Sequence, residues 1–229
     1  MHLRLVPVLL ALLWLSQGAP AAQTACRHAD FLANPDNWKR LEFNGIAPNR
    51  FSVQDAGIRI ASKASASMLY VDLTGLGFQS VSWTWRSQGA MPASKLDETG
   101  PDDRRLSVSV GFDHEDSTRS FFERSMRSLL ETVYGAALPG RVIAYTWSSG
   151  GHRVGEAFDN PYTGADAKTI ILRDGPDDEA PNEITVMPAD DYRRLYGEAA
   201  PTMTYLGIFA DTDGTDSEIA SEIRDLCLN

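Results

Sequence analysis

The chain has 229 residues, a formal net charge of -10 at pH 7 and an apolar fraction of 43%. No Lys/Arg cluster interrupts the acidity, which argues against nucleic acid and anionic membrane surfaces as partners. No linker, repeat or low-complexity stretch divides the chain, so its length suits one core rather than several.

Reading begins with a leader. Arg4 precedes the apolar run "LVPVLLALLWL", and "SQGAPAAQ" then supplies the small-x-small pattern Ala19-Pro20-Ala21, the signature of a secretory signal cut near Ala22. Leu5 to Leu15 is too short to cross about 30 Å of hydrocarbon as a helix. Residues 1–21 therefore read as a signal peptide and 22–229 as a single β-sandwich domain, placing the mature protein in the periplasm or outside the cell with no transmembrane span. In that oxidising compartment an even cysteine count favours a Cys26–Cys227 bond joining the first element to the last, with two free thiols as the alternative.

Between the cysteines, short alternating segments dominate. "QSVSWTWRS" sets Val81, Trp83 and Trp85 against Ser80, Ser82, Thr84 and Arg86, and "RLSVSVGFD" sets Leu106, Val108, Val110 and Phe112 against Ser107, Ser109 and Gly111. Each predicts a period-two strand with one apolar face in an antiparallel sheet. "KRLEFN", "RFSVQD", "GIRIAS", "SMLYVDL", "RVIAYTW", "KTIILRD", "TYLGIFAD" and "SEIRDLCL" are the further strand candidates, and the turns between them predict a jelly-roll-like sandwich. Two segments have helical spacing instead. "STRSFFERSMRSLLETVYG" opens with a Ser120/Glu123 capping pair and stops at Gly135, predicting the longer helix. "MPADDYRRLYG" has Pro188 early, acids in its first turn and Gly197 as a stop, predicting a short helix with Tyr192, Leu195 and Tyr196 facing the sheet.

Candidate chemistry gathers in two acidic segments. In "FADTDGTDSE", Asp211 and Asp213 lie two apart where a strand ends, about 6.6 Å along an extended backbone. Three readings remain open: a hard-cation site with Ca²⁺ as the candidate cofactor, an acid-base pair, or a turn held by Asx-type hydrogen bonds. In "KLDETGPDDRR", Asp102 and Asp103 precede another strand with Lys95 and Arg105 at hand to neutralise them, and would complete a single site with the first pair if both lie at one rim. Trp83 and Trp85 share the phase of Val81 and read as core, whereas Trp147, before "SSGGH" at a strand end, is the candidate for stacking on a sugar ring. His28, His114 and His152 lack zinc-ligand spacing, "WSSGG" is not a nucleophile elbow, and "FDHEDS" and "DGPDDEAPNE" read as polar loops.

Taken in register, "SASASMLYVDL", "VSWTWR", "KLDETGPDD" leading into "RLSVSVGF", "LPGRVIAYTW", "NPYTG", "DDYRRLYGE" and "DTDGTD" resemble a bacterial family catalogued as domain of unknown function 3047. The resemblance implies a β-sandwich related to galactose-binding-like carbohydrate modules and implies no particular reaction. Asp213-Gly214-Thr215 stands where that family commonly has Asp-Asn-Thr. The expectation that follows is an exported carbohydrate- or cell-envelope ligand-binding sandwich, with Lys95, Asp102, Asp103, Trp147, Asp211 and Asp213 at the ligand site. The alternatives are a carboxylate-dependent glycan-processing enzyme and a structural envelope protein.

Overall fold

The computed structural model describes residues 26–54, 57–113, 140–176 and 182–229. The longer helix expected over residues 117–135 lies outside the described residues, as do His114, Glu115 and Asp116 and residues 177–181 of the acidic loop beginning at Asp174.

Twelve strands are present among the described residues: β1 (Trp38–Glu42), β2 (Arg50–Gln54), β3 (Gly57–Lys63), β4 (Ala66–Asp72), β5 (Val81–Gln88), β6 (Arg104–Phe112), β7 (Val142–Ser148), β8 (Ala157–Asn160), β9 (Gly164–Arg173), β10 (Asn182–Val186), β11 (Met203–Asp211) and β12 (Glu218–Leu228). All ten segments predicted as strands are strands; β8 and β10 are additions. The protein is mostly β, a jelly-roll-like sandwich of a seven-stranded sheet in the order β1-β4-β11-β6-β7-β9-β8 and a five-stranded sheet in the order β10-β5-β12-β3-β2. Pairing is antiparallel except between β7 and β9, which run parallel.

The apolar faces of the two sheets meet as the alternation requires. Val81, Trp83 and Trp85 of β5 are buried at every second position. Across the sandwich, Trp83 packs against Tyr145 of β7 at 6.2 Å between ring centroids and Trp85 against Trp147 at 5.7 Å. Tilted and edge contacts of this kind suit the aromatic quadrupole, so the ring cluster adds specific geometry to simple area burial. Strand β6 departs from expectation, for all nine of its residues are buried rather than one face only. The cause is its position at the centre of the seven-stranded sheet with both faces covered. The hydroxyls of that second face satisfy each other, Ser107 Oγ lying 2.7 Å from Thr146 Oγ1 of β7.

Two short α-helices among the described residues flank the sheets. α1 (Ala29–Ala33) buries Leu32 in the core. α2 (Pro188–Tyr196) begins at its proline and ends at Gly197, which adopts φ 78° and donates its N–H to Arg193 O. Tyr192 is buried and Leu195 and Tyr196 are half-buried against the core, the expected face. Cys26 and Cys227 form a disulfide. Beside it the last residue is clasped by the chain: Asn229 O accepts from Gln79 N–H and Ser80 N–H, Asn229 N–H donates to Ser80 O at 3.1 Å, and Arg27 N–H donates to Asn229 Oδ1 at 3.1 Å.

Candidate functional site: an acidic rim

The site grows from the end of β11. Ala210, Asp211 and Thr212 leave the seven-stranded sheet over a buried polar network that fixes where the carboxylates stand. Thr212 is fully buried; its N–H donates to Ser65 O at 3.0 Å, while its hydroxyl lies 2.9 Å from Ser62 Oγ and accepts from Ser65 N–H at 3.1 Å. Asn49 donates through Nδ2 to Ala210 O at 2.7 Å and to Ser67 O at 3.1 Å, and its Oδ1 accepts from Ser65 Oγ at 2.8 Å. Each of these buried donors finds an acceptor, so the network adds rigidity without leaving a desolvated group unpaired.

Asp103 then braces the turn that follows. Pro101 to Asp103 lead into β6, the neighbour of β11, and the Asp103 carboxylate accepts from Gly214 N–H at 3.0 Å, from Thr215 N–H at 2.8 Å and from the Thr215 hydroxyl. Three donors on one buried carboxylate make a charge-assisted clamp. The approach is so close that a Cβ at position 214 would lie 2.8 Å from Asp103 Oδ1 and 3.0 Å from Pro101 Cα. A side chain at this position would therefore have to displace the Asp103 carboxylate or Pro101. Asp103→Ala is expected to lower stability by about 2 kcal/mol, since three donors lose a charged acceptor; a urea denaturation curve with an unchanged midpoint would contradict the brace.

Asp211 and Asp213 form the second part. One oxygen from each of Asp103, Asp211 and Asp213 lies within 4.8 Å of the others. Asp211 is buried, with residue exposure of 6%, and its Oδ1 accepts Asp213 N–H over 3.5 Å. Burial, and then its hydrogen bond with Asp213, push its pKa up to about 9 against the opposing pull of Arg104. Asp211 therefore holds a proton at neutral pH.

The cation beside this cluster is Arg104. It pairs in register with Asp211 across β6 and β11, binds the Asp102 carboxylate at 2.5 Å and lies over the Phe209 ring at 5.3 Å. Lys95, expected to neutralise the cluster, instead pairs with Glu98 at 2.8 Å in an exposed contact. Arg105, the other expected neutraliser, is buried and donates to Gly89 O at 3.0 Å and Ser87 Oγ at 3.4 Å. A β-bulge explains the exchange: the register of β6 shifts between Arg104 and Leu106, so Arg104 lies opposite Asp211 instead of sharing the core face of Leu106, while Arg105 reaches Ser87 and Gly89.

Two aromatic assignments change. Trp147 is fully buried, packs on Trp85, donates from Nε1 to Gly175 O at 3.2 Å and is covered by Arg173 at 4.0 Å from its ring centroid. It has no face to offer a sugar, which corrects the stacking assignment. The exposed aromatic near the acidic rim is Tyr162, in the turn between β8 and β9, whose hydroxyl lies 3.5 Å from Asp102 Oδ1. The His152 side chain is buried as well. Its Nε2 accepts from Leu96 N–H at 3.0 Å and its Nδ1 lies 3.5 Å from Glu156 Oε2, so the proton of the neutral ring belongs on Nδ1. The ring thereby ties residues 150–156 to the segment that leads to Asp102 and Asp103.

Fold and site together define a β-sandwich with a braced carboxylate cluster at one rim. The chain belongs to the family described as "Protein of unknown function (DUF3047)", which matches residues 36–227. Among solved structures, the chain is similar to a loop-swap mutant of Xyn11A from Necallimastix patriciarum, with 10% identity, 86% of this chain and 96% of that chain covered, and a TM-score of 0.41. It is also similar to the Emp47p carbohydrate recognition domain, with 15% identity, 84% and 89% covered, and a TM-score of 0.40. The family 11 xylanase from Neocallimastix patriciarum is similar at 9% identity, with 84% and 99% covered and a TM-score of 0.37. No curated protein matches the chain.

Proposed function

We propose that the protein is an exported ligand-binding β-sandwich, acting in the periplasm or outside the cell, which takes a carbohydrate or another cell-envelope component at its acidic rim. The observation that carries this reading is the convergence of Asp102 and Asp103 with Asp211 and Asp213, from segments more than a hundred residues apart, onto one edge of the sandwich. The Cys26–Cys227 disulfide supports an oxidising compartment. Among the described residues no helix is long and apolar enough to cross a membrane.

Ca²⁺ is the proposed cofactor. The donor set is all oxygen, which suits a hard cation, and Asp211 and Asp213 would hold it, because the Asp103 oxygens already accept from Gly214 and Thr215. Binding would displace the proton from Asp211, so cation and proton compete for the same carboxylates. Adding Ca²⁺ to EDTA-treated protein is expected to raise the melting temperature, with a gain of about 2.7 kcal/mol at a hundredfold excess over Kd. Replacing both residues, Asp211→Asn with Asp213→Asn, removes that rise. A melting temperature indifferent to Ca²⁺ overturns the cofactor assignment and leaves the rim to bind its ligand directly.

The second reading is a glycan-processing hydrolase, favoured by the protonated state of Asp211, since a carboxyl that keeps its proton at neutral pH is what a general acid requires. Burial of Asp211 favours binding instead, because a general acid must reach the glycosidic oxygen. Product analysis after incubation with envelope glycans separates the two: turnover abolished by Asp213→Asn would replace the binding assignment.

A further inference from the structure

Tyr162 is one of the few large hydrophobic side chains exposed among the described residues, at 59%. Exposure alone would be ordinary for a surface tyrosine. Its hydroxyl, however, is held at both ends of its hydrogen-bonding capacity, donating to Gly100 O at 2.9 Å and accepting from Gly100 N–H at 3.0 Å. The turn that carries it is fixed as well, for Asn160 Oδ1 accepts from Tyr162 N–H at 2.9 Å and from Thr163 N–H at 3.1 Å. The polar end of the side chain is thus satisfied by the protein, and what meets solvent is the ring, immobilised before any ligand arrives. A tyrosine with few torsions, already locked, loses little entropy when something packs on it.

We propose that Tyr162 is a stacking platform for a pyranose ring of a neutral or amino-sugar glycan, and that the adjoining acidic rim excludes acidic glycans. This assignment rests on the reading of the rim as a ligand site and deepens it by naming the ligand class. The apolar C–H face of a pyranose complements a flat aromatic surface, while its hydroxyls would meet the oxygens of the neighbouring rim. Charge supplies the selectivity. The Tyr162 hydroxyl stands 3.5 Å from Asp102 Oδ1, and beyond Asp102 lie Asp103, Asp211 and Asp213, with Arg104 as the compensating cation. Uronates and phosphorylated sugars would bring like charge onto this surface, whereas a neutral or protonated amino sugar would not.

Isothermal titration of the full-length, disulfide-intact protein with three probes tests the proposal: cellohexaose, a glucosamine hexamer and a galacturonate hexamer. The expected result is binding of the first two and not the third, with Tyr162→Ala weakening affinity about tenfold and Tyr162→Phe, which keeps the ring, weakening it less. Circular dichroism and the melting temperature of each variant establish that the fold is retained. Unchanged affinity in a folded Tyr162→Ala protein overturns the stacking assignment, as does preferential binding of the galacturonate. If binding needs Asp213 but not Tyr162, the rim survives as the site and only the platform falls; if the wild-type protein binds none of the probes, both fall.

Discussion

Asp211→Asn is expected to flatten the pH dependence of stability and to stabilise the protein above neutral pH when metal is removed with EDTA. An aspartate in an unfolded chain ionises near 3.9. In the folded protein burial pushes Asp211 up to about 9. Between those values the folded state retains a proton that the unfolded chain has released, so unfolding becomes easier as pH rises, by up to about 1.4 kcal/mol per pH unit. Below pH ~3.9 both states are protonated and the residue exerts no pull; above about 9 the folded state too must hold the charge, and the cost levels off. Asparagine keeps the shape of the protonated acid without the ionisation. Urea midpoints at pH 5 and pH 8 should therefore fall with pH in the wild-type protein and change little through this residue in the variant. Equal slopes in the two proteins would show that Asp211 is charged in the folded state. Saturating Ca²⁺ should reduce the wild-type slope, because the cation takes the place of the proton.

Opening the Cys26–Cys227 bond should have an effect of comparable size. The bond spans a sequence separation of 201 residues, and the loop-closure relation assigns about 5 kcal/mol to a crosslink of that length. Measured values for such bonds often fall below the relation because the reduced chain keeps residual structure. The hydrogen bonds of Arg27, Gln79 and Ser80 with Asn229 remain after reduction and hold the ends together in part. The double change Cys26→Ser with Cys227→Ser is thus expected to lower the urea midpoint sharply while leaving the sheets intact by circular dichroism. Peptide mapping without reduction should recover the two cysteines as one linked pair. Free thiols in protein isolated under oxidising conditions would remove the assignment.

The strands were legible where one face had to be apolar. Val81, Trp83 and Trp85 alternate with polar neighbours, and their burial follows from that pattern. Strand β8, "AFDN", carries no such period over its four residues, and β10, "NEITV", begins within an acidic stretch that reads as loop. The burial of Trp147 was legible too: Ile143, Tyr145 and Trp147 share one parity along β7, so the core face of that strand includes it. The candidate site was legible in its parts but not in its assembly. Asp211 and Arg104 become neighbours through the β6–β11 register, a pairing between distant segments that no local pattern encodes. The brace from Asp103 to Gly214 and Thr215 follows from that register, as does the choice of Arg104 over Lys95 as the neighbouring cation. Tyr162 left a fainter trace, as an aromatic placed in an "NPYTG" turn where a buried ring would have no strand to carry it.

Strand β12 begins beside the braced turn at Glu218 and runs for 11 residues to Leu228, next to the disulfide and the Asn229 clasp. Extended backbone of that length covers roughly 35 Å. The joined ends of the fold and the acidic rim therefore stand at opposite poles of the molecule. A tether, fusion partner or immobilising tag attached near Cys26 would hold the protein with Tyr162 and the aspartates directed away from the support. Tension applied between the two ends would be borne by the sulfur–sulfur shackle, and the geometry at the far pole would be spared.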